Sequence, residues 1–326
     1  MIDCTTSGAV RFYDSPSYLL RGSGLILAVR YSRSGNLMAT VSTNGERGLL
    51  EIWPLPNVAR FHEPVARRLF DHVIVDAAWV SEDAVAVCGN GLLAVYSVND
   101  LATTSKSASD GALPALQGTQ NLKEEYMHPK ANQWDRVRYD AVTDMLAANS
   151  AQENSLLLLT KQDGVWREGP AIKHQSKLHQ TLNALAFEPI PESAETRLDM
   201  VRRLALAYDS GSVLVYSVSS QDCELIHHLS IGPQEPALAL SWHGTRLAAA
   251  SDEAIKAWDL NDPSHTIISW QAAPAKWYQG SDHHLPSDED AQTTPSLSWD
   301  VEGKRLAFTV GRKVSIRPIS NLMSDY

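Results

Sequence analysis

The segment LILAVRYSRSGNLMATVSTNGERGLLEIWPL, residues 25–55, contains three short apolar runs. Each run places Val, Ile, Leu or an aromatic residue at alternate positions, which is the period of a β-strand with one buried face. Ser34, Gly35 and Asn36 separate the first two runs. These residue types accept the backbone conformations of a tight turn, including positive φ. The segment therefore predicts three strands joined by short turns.

The same three-strand unit recurs along the chain. Each copy has an apolar first run, a second run of small residues and a third run that in most copies ends near an aromatic residue. No stretch of ten or more residues shows a convincing helical stripe. The pattern predicts an all-β protein built from repeated small sheets. The copies begin near residues 25, 73, 134, 182, 236 and 295.

The ends of the third runs carry a family signal, namely Tyr13-Asp14, Trp53, Tyr96, Tyr216 and Trp258-Asp259. These positions resemble the Trp-Asp dipeptide of WD40-repeat β-propellers, and YSRSGNLMATVS (31–42) is similar to the family's strand–turn–strand segment. The copies are about 54 residues apart, whereas a WD40 blade takes roughly 40 to 45. We therefore predict surface insertions at about 99–133, 190–201 and 274–294. The chain departs from the family in its single Trp-Asp at the expected place and in its missing Gly-His pairs.

The resemblance implies a WD40-like β-propeller that occupies residues 1–326 as one domain. Residues 1–22 read as the last three strands of a blade without its first strand. We therefore predict seven blades, six complete copies plus this partial one, with the terminal blade closed by both chain ends. A six-bladed ring is the alternative. Trp242 and Trp299, late in first strands, are expected to pack between blades.

Composition restricts the class of partner. The net charge of −10 argues against non-specific binding to DNA or to anionic lipid surfaces. Three scattered cysteines without a CxxC pair argue against a zinc ribbon or a disulfide framework. The N-terminus does not read as a secretory leader, and no apolar window approaches the length of about 18 residues that a spanning helix needs. We expect an intracellular protein of the nucleus or the cytoplasm.

Motifs that carry catalytic chemistry are absent from the sequence. It has no phosphate-binding loop, no GxSxG elbow and no HExxH motif. Asp282, His283 and Asp288 are the candidates for a propeller enzyme, which is the alternative function. Adjacent histidines such as His283-His284 in a polar loop seldom converge on one ion, so we interpret 282–290 as a solvated acidic loop. We predict no cofactor and no metal site.

Other reactive or charged side chains receive structural interpretations. Cys88 lies in AVAVCG and is predicted to be a buried, inert thiol. His227 and His228 alternate on a predicted strand, so they should face opposite sides. The absence of interleaved aromatic residues argues against direct nucleic-acid binding by the basic clusters. We interpret these clusters as charge dispersed over hairpins and outer strands: Arg60, Arg67, Arg68, Arg197, Arg202 and Arg203.

The resemblance places function on the top face of the propeller, formed by the loops before first strands and the turns between second and third strands. It implies a non-catalytic scaffold, a monomeric propeller within a multi-protein complex, that binds a peptide or a partner domain there. An alternative is a structural subunit that recruits a partner strand at its incomplete blade. The exposed aromatic pair Trp277-Tyr278 is a further predicted anchor. The predicted partner-binding residues are His72, Asn90, Gln133, Trp134, His179, Gln180, Asp209, Gln234, Glu235, Asp252, Glu253, Trp277 and Tyr278.

Overall fold

The computed structural model describes the following residues: 2–4, 10–12, 25–54, 64–98, 122–150, 152–153, 155–173, 181–189, 200–232, 235–271, 297–300, 302–310 and 313–318. Every helix or strand within them is a β-strand, so the predicted all-β class is confirmed. This part of the chain contains no helix that is long and apolar enough to cross a membrane. Its contacts divide the chain into two compact units, unit 1 (Met1–Asp135) and unit 2 (Arg136–Tyr326).

Unit 1 holds a hairpin and two four-stranded antiparallel sheets. The hairpin pairs β1 with β2, sheet 1 has the order β3-β4-β5-β6, and sheet 2 has the order β7-β8-β9-β10. Each sheet is a meander of strands that are consecutive in sequence, as the repeat predicts. The strands are β1 (Ile2–Cys4), β2 (Val10–Phe12), β3 (Leu25–Tyr31), β4 (Leu37–Thr43), β5 (Gly48–Pro54), β6 (Ala66–Phe70), β7 (Ile74–Trp79), β8 (Ala84–Gly89), β9 (Leu92–Ser97) and β10 (Lys123–Met127).

Sheets 1 and 2 pack face to face around one apolar cluster. Val41, Leu50 and Ile52 of sheet 1 and Val85 and Val87 of sheet 2 are fully buried in it. These residues occupy alternate positions of their strands, so the alternation in sequence becomes one buried face of each sheet. Burial of this apolar surface is the main stabilising contribution, at about 25 cal/mol per Å² removed from water.

Unit 2 holds four further sheets. Sheet 3 has the order β11-β12-β13-β14 with β15 paired to β13, and β11 begins just before the unit boundary. Sheets 4 and 5 are four-stranded, and sheet 6 contains three described strands. The strands are β11 (Trp134–Asp140), β12 (Met145–Ser150), β13 (Ser155–Gln162), β14 (Val165–Glu168), β15 (Ile172–Lys173), β16 (Leu182–Phe187), β17 (Arg202–Tyr208), β18 (Ser212–Val218), β19 (Cys223–Ser230), β20 (Ala239–His243), β21 (Arg246–Ala250), β22 (Ala254–Asp259), β23 (Asp262–Gln271), β24 (Leu297–Trp299), β25 (Arg305–Val310) and β26 (Lys313–Pro318).

Apolar clusters join each sheet of unit 2 to the next in sequence. Each cluster takes residues from both sheets, so the burial is shared between successive copies of the repeat. Such nearest-neighbour packing is what a repeat protein needs, because one copy alone cannot bury its apolar faces. Buried members are Leu158 and Leu206 for sheets 3 and 4, Val215 and Leu247 for sheets 4 and 5, and Ile255 and Phe308 for sheets 5 and 6.

A hydrogen bond between first strands accompanies this packing in both units. In each case an indole N–H donates to a backbone carbonyl in the first strand of the preceding sheet. First strands lie at the edges of their sheets, where an indole of the following sheet can reach a backbone carbonyl, and a carbonyl oxygen has two lone pairs with which to accept. The contacts confirm that Trp242 and Trp299 lie between neighbouring sheets. The bonds are Trp79 Nε1 to Arg30 O at 2.9 Å, Trp242 Nε1 to Ala186 O at 3.2 Å, and Trp299 Nε1 to Ser241 O at 3.1 Å.

One segment of the predicted 99–133 insertion forms a strand rather than a loop. Residues Lys123–Met127 are β10, the outer strand of sheet 2, and pair with β9. The sequence KEEYM shows no apolar alternation, and four of its five side chains are exposed in the structure. Periodicity therefore could not detect it. The rest of that insertion up to residue 121, most of 190–201 and all of 274–294 lie outside the described residues.

Candidate functional site

The loops that were predicted to share one end of the sheets lie together in unit 1. Asn90 and Gln133 form an isolated antiparallel bridge, and the N–H of Gly91 donates to Asn132 O at 2.9 Å. The N–H of Asn90 donates to Val73 O at 2.9 Å, which ties this turn to the loop that carries His72. We call this end of each unit the loop face. The side chains of His72, Asn90 and Gln133 are all exposed on it.

Trp134 is a correction to the predicted partner-binding set. Its side chain is only 2 % exposed, and its ring lies edge-on to the ring of His128 with centroids 5.0 Å apart. Trp134 opens β11, where the chain enters the apolar interior from the loop face. Burial of a large aromatic side chain at that point contributes favourable free energy and stabilises the adjoining loop. The buried ring offers no surface to a partner.

The loop face of unit 2 is braced by contacts among its loops. The N–H of Asp209 donates to Thr181 O at 3.0 Å, and the N–H of Ile231 donates to Gly211 O at 3.0 Å. Ser251 Oγ donates to Glu235 Oε2 at 3.1 Å. The turn after β17, the segment before β20 and the turn after β21 are therefore held at one end of sheets 4 and 5.

Gly211 is required where two of these loops meet. Its φ is +79°, and a Cβ there would lie 2.5 Å from Glu235 O and 2.6 Å from Gly232 O. Both the backbone conformation and the close approach therefore exclude a side chain. The Asp-Ser-Gly sequence at 209–211 predicts the turn, but only the tertiary structure reveals the second loop against it.

The carboxylates of the loop face in unit 2 lie on these braced loops. Asp209, Asp252 and Glu253 are exposed, and Glu235 is half-buried beside Ser251. Within each unit, the described members of the predicted set other than Trp134 thus lie on neighbouring loops. The remaining predicted residues lie outside the described part of the chain: His179, Gln180, Gln234, Trp277 and Tyr278.

Shifted pKa values in the described part of the chain have structural causes. Burial, with a smaller effect of Asp222, raises the pKa of the Cys223 thiol to about 12. Burial also raises the pKa of the Tyr208 phenol. Burial lowers the pKa of His227, and the positive charge of Arg203 lowers it further. Burial is the first cause in each case, so none of these shifts indicates an activated nucleophile.

The described residues contain no group of three or more His, Cys, Asp or Glu side chains that could hold a metal ion. Asp282, His283 and Asp288, the candidates for the enzymatic alternative, lie outside these residues. Cys88 is fully buried, as predicted. His227 and His228 pair with successive residues of β18, which confirms that their side chains alternate on β19.

Arg202 corrects the interpretation of the basic clusters as dispersed surface charge. Its Nε lies 3.2 Å from both carboxylate oxygens of Asp140, and its Nη2 donates to Glu188 O at 2.5 Å. Thr143 Oγ1 donates to the same carboxylate at 2.7 Å. The Arg202 and Asp140 side chains are 3 % and 1 % exposed, so this ion pair links sheets 3 and 4 internally.

Arg67 and Arg68 lie on the outer strand β6, as predicted. Arg67 Nη2 lies 2.8 Å from Glu51 Oε1, and the guanidinium carbon of Arg68 lies 4.4 Å from the ring centroid of Tyr96. Both cations therefore have structural contacts within unit 1. Arg60 and Arg197 lie outside the described residues.

No protein-family model matches the chain, and no curated protein matches its sequence. Pattern reasoning missed the groups that brace this face, namely Ser251 and the backbone carbonyls of Val73, Thr181 and Asn132. A backbone carbonyl has no sequence signature, and a serine in a turn has many alternative roles.

Proposed function

We propose that the protein is a non-catalytic interaction module with a WD40-like propeller architecture, which binds a partner protein through its loop face. The observation that carries the proposal is the bracing of neighbouring loops, with Asn90 against Gln133 in unit 1 and Glu235 against Ser251 in unit 2. Side chains on a braced backbone lose little conformational entropy when they bind a partner. Such a face suits recognition by several loops at once.

An exposed apolar face of β3 supports closure of the sheets into a ring. The first strands β7, β20 and β24 each contact the sheet before them through a tryptophan near their end. Tyr31 occupies the corresponding position at the end of β3, but its side chain is 64 % exposed. Leu25 on the same strand is 67 % exposed. Leu27 and Val29 between them are also exposed. An apolar edge strand of this kind is suited to contact a further sheet of the same repeat, and ring closure is how propellers protect such edges.

The blade count of the proposed ring is seven. β1 and β2 pair with each other and with no other strand of the described residues. This pairing favours a separate partial blade over insertion of the N-terminal strands into sheet 6. Six sheets that match the six complete copies then account for the remaining blades.

The charge of the loop face in unit 2 favours a partner segment that carries lysine or arginine. Asp209, Glu235, Asp252 and Glu253 are carried on the three braced loops, and the whole chain has a net charge of −10. Complementary charge speeds association and makes it sensitive to salt. Partner binding should therefore weaken as ionic strength rises.

The test is purification of the tagged full-length chain from its native cells, with mass spectrometry of the proteins that co-elute. The loop-face variant combines Asp252→Asn with Glu253→Gln. The control variant combines Glu224→Gln on β19 with Glu302→Gln in the turn after β24. It removes the same charge at exposed positions away from the loop face.

We expect stoichiometric partners with the wild type and the control, and their loss or marked weakening with the loop-face variant. A chain that purifies without any stoichiometric partner would contradict the scaffold function. Retention of every partner by the loop-face variant would overturn the assignment of the loop face. That result would favour the alternative in which a partner strand adds at the incomplete blade, whose strands β1 and β2 pair with no other described strand.

A further inference from the structure

The chain contains two Asn-Gly dipeptides, Asn44-Gly45 and Asn90-Gly91. Both lie between the second and third strands of their sheets, and both asparagine residues are exposed. In Asn-Gly the backbone nitrogen of glycine can attack the side-chain amide carbon of asparagine, because glycine carries no side chain to obstruct the approach. The two sites are therefore matched in sequence and exposure, and they differ in their hydrogen bonds.

The Asn44 side chain is held by its own turn. Asn44 Oδ1 accepts the backbone N–H of Glu46 at 3.1 Å and that of Arg47 at 2.8 Å. The N–H of Gly45 donates to Thr43 Oγ1 at 3.0 Å. Attack by Gly45 on Asn44 would require the side-chain amide to leave two hydrogen bonds and the nitrogen to leave a third.

The Asn90 side chain has no such restraint from the described residues. The N–H of Gly91 donates to Asn132 O at 2.9 Å, so the attacking nitrogen is engaged as it is at Gly45. The side-chain amide of Asn90, however, makes no hydrogen bond with any described residue, and it projects into solvent. Among the described residues, the difference between the two sites therefore lies in the side-chain amide, which is hydrogen-bonded at Asn44 and not at Asn90.

We propose that Asn90 is a site of spontaneous deamidation in the folded protein and that Asn44 is protected from it. The Gly91 nitrogen loses its proton to solvent base and bonds to Cγ of Asn90. The bond from Cγ to the amide nitrogen breaks, and ammonia leaves with a proton from water. One water molecule then opens the resulting succinimide to aspartate or isoaspartate. The reaction needs only water, with no enzyme, oxidant or cofactor.

The product changes the loop face of unit 1. Either isomer adds a negative charge beside Gln133, and isoaspartate also lengthens the backbone within the two-residue turn between β8 and β9. The bridge from Asn90 to Gln133 and the bond from Gly91 to Asn132 both depend on that backbone. The modification would thus alter, with the age of the molecule, the surface proposed above for partner binding, although its chemistry does not depend on that function.

The experiment incubates the full-length protein at physiological temperature and mildly alkaline pH, and peptide mapping by mass spectrometry follows both sites. A parallel sample in denaturant gives the intrinsic rates. We expect both sites to convert at similar rates in denaturant, and Asn90 to convert several-fold faster than Asn44 in the folded protein. Asn90→Gln should abolish conversion at position 90 and leave Asn44 unchanged. Conversion of Asn44 at least as fast as Asn90 in the folded protein, or no conversion of Asn90 while the denatured sample reacts, would overturn the proposal.

Discussion

Replacement of Gly211 by alanine tests whether the loop face of unit 2 is braced as the structure indicates. Gly211 has a φ of +79°, and its position lies against the backbone of Gly232 and Glu235. Gly164 provides a matched control, because its φ is +78° and a Cβ there would meet nothing within 4 Å. The two substitutions thus share the backbone strain and differ only in the steric contact.

The expected magnitudes follow from this comparison. A non-glycine residue in the left-handed region costs about 1 to 2 kcal/mol, and both variants bear that cost. Only Gly211→Ala also places a methyl group 2.5 Å from Glu235 O, so the loop backbone must move. Overpacking of this kind costs about 1 to 3 kcal/mol. Gly211→Ala should therefore be less stable than Gly164→Ala by about 1 to 3 kcal/mol.

Urea unfolding followed by circular dichroism measures this difference. With an m-value of about 1 to 3 kcal/mol per M, the additional cost lowers the midpoint by about 1 M relative to the control. Amide hydrogen exchange should also accelerate in residues 235–237 and 251–254 of Gly211→Ala and not of Gly164→Ala. Equal midpoints for the two variants, with unchanged exchange in these loops, would refute the bracing argument.

Three further outcomes are expected. Arg202→Met leaves the buried carboxylate of Asp140 without its ion pair and should lower the free energy of unfolding by about 3 to 5 kcal/mol. The double variant that also carries Asp140→Leu should recover much of this loss in the same urea assay. No recovery in the double variant would contradict the pairing. Trp242→Phe removes the donor to Ala186 O and should cost about 1 to 3 kcal/mol, including the loss of ring volume, and a variant as stable as the wild type would exclude this contact. The Cys223 thiol, with its pKa raised to about 12, stays protonated at neutral pH and becomes nucleophilic only as the pH rises toward that value. Peptide mapping after iodoacetamide treatment should therefore find Cys223 unmodified in the folded protein at pH values where the denatured protein reacts fully.

The buried strands were predictable from the sequence, and an outer strand was not. β4 and β8 carry small and apolar residues throughout and are completely buried, so their pattern is strong. β10 has four exposed side chains among five and resembles a surface loop in sequence. Its strand conformation comes from pairing with β9, which is a tertiary contact.

The candidate site was predictable in its positions along the chain but not in the roles of single residues. Register within the repeat predicts Asn90, Gln133 and Glu235 at one end of their sheets, whereas the Asn90–Gln133 bridge and the bond from Ser251 to Glu235 appear only in the structure. The same register gives no information on burial, so Trp134 was expected at the surface although it lies in the interior. Arg202 illustrates the same limit, because its buried partner Asp140 is 62 residues away in sequence.

The amino-acid sequence by itself determined the all-β class, the copies of the repeat and the turns that separate their strands. These properties depend on side-chain alternation and on turn residues within a few positions of each other, which local chemistry controls. Tertiary structure decided which faces meet, which charges are buried together and which loops brace one another. Those outcomes depend on residues far apart in the chain, whose contacts exist only once burial of the shared apolar faces brings neighbouring sheets together.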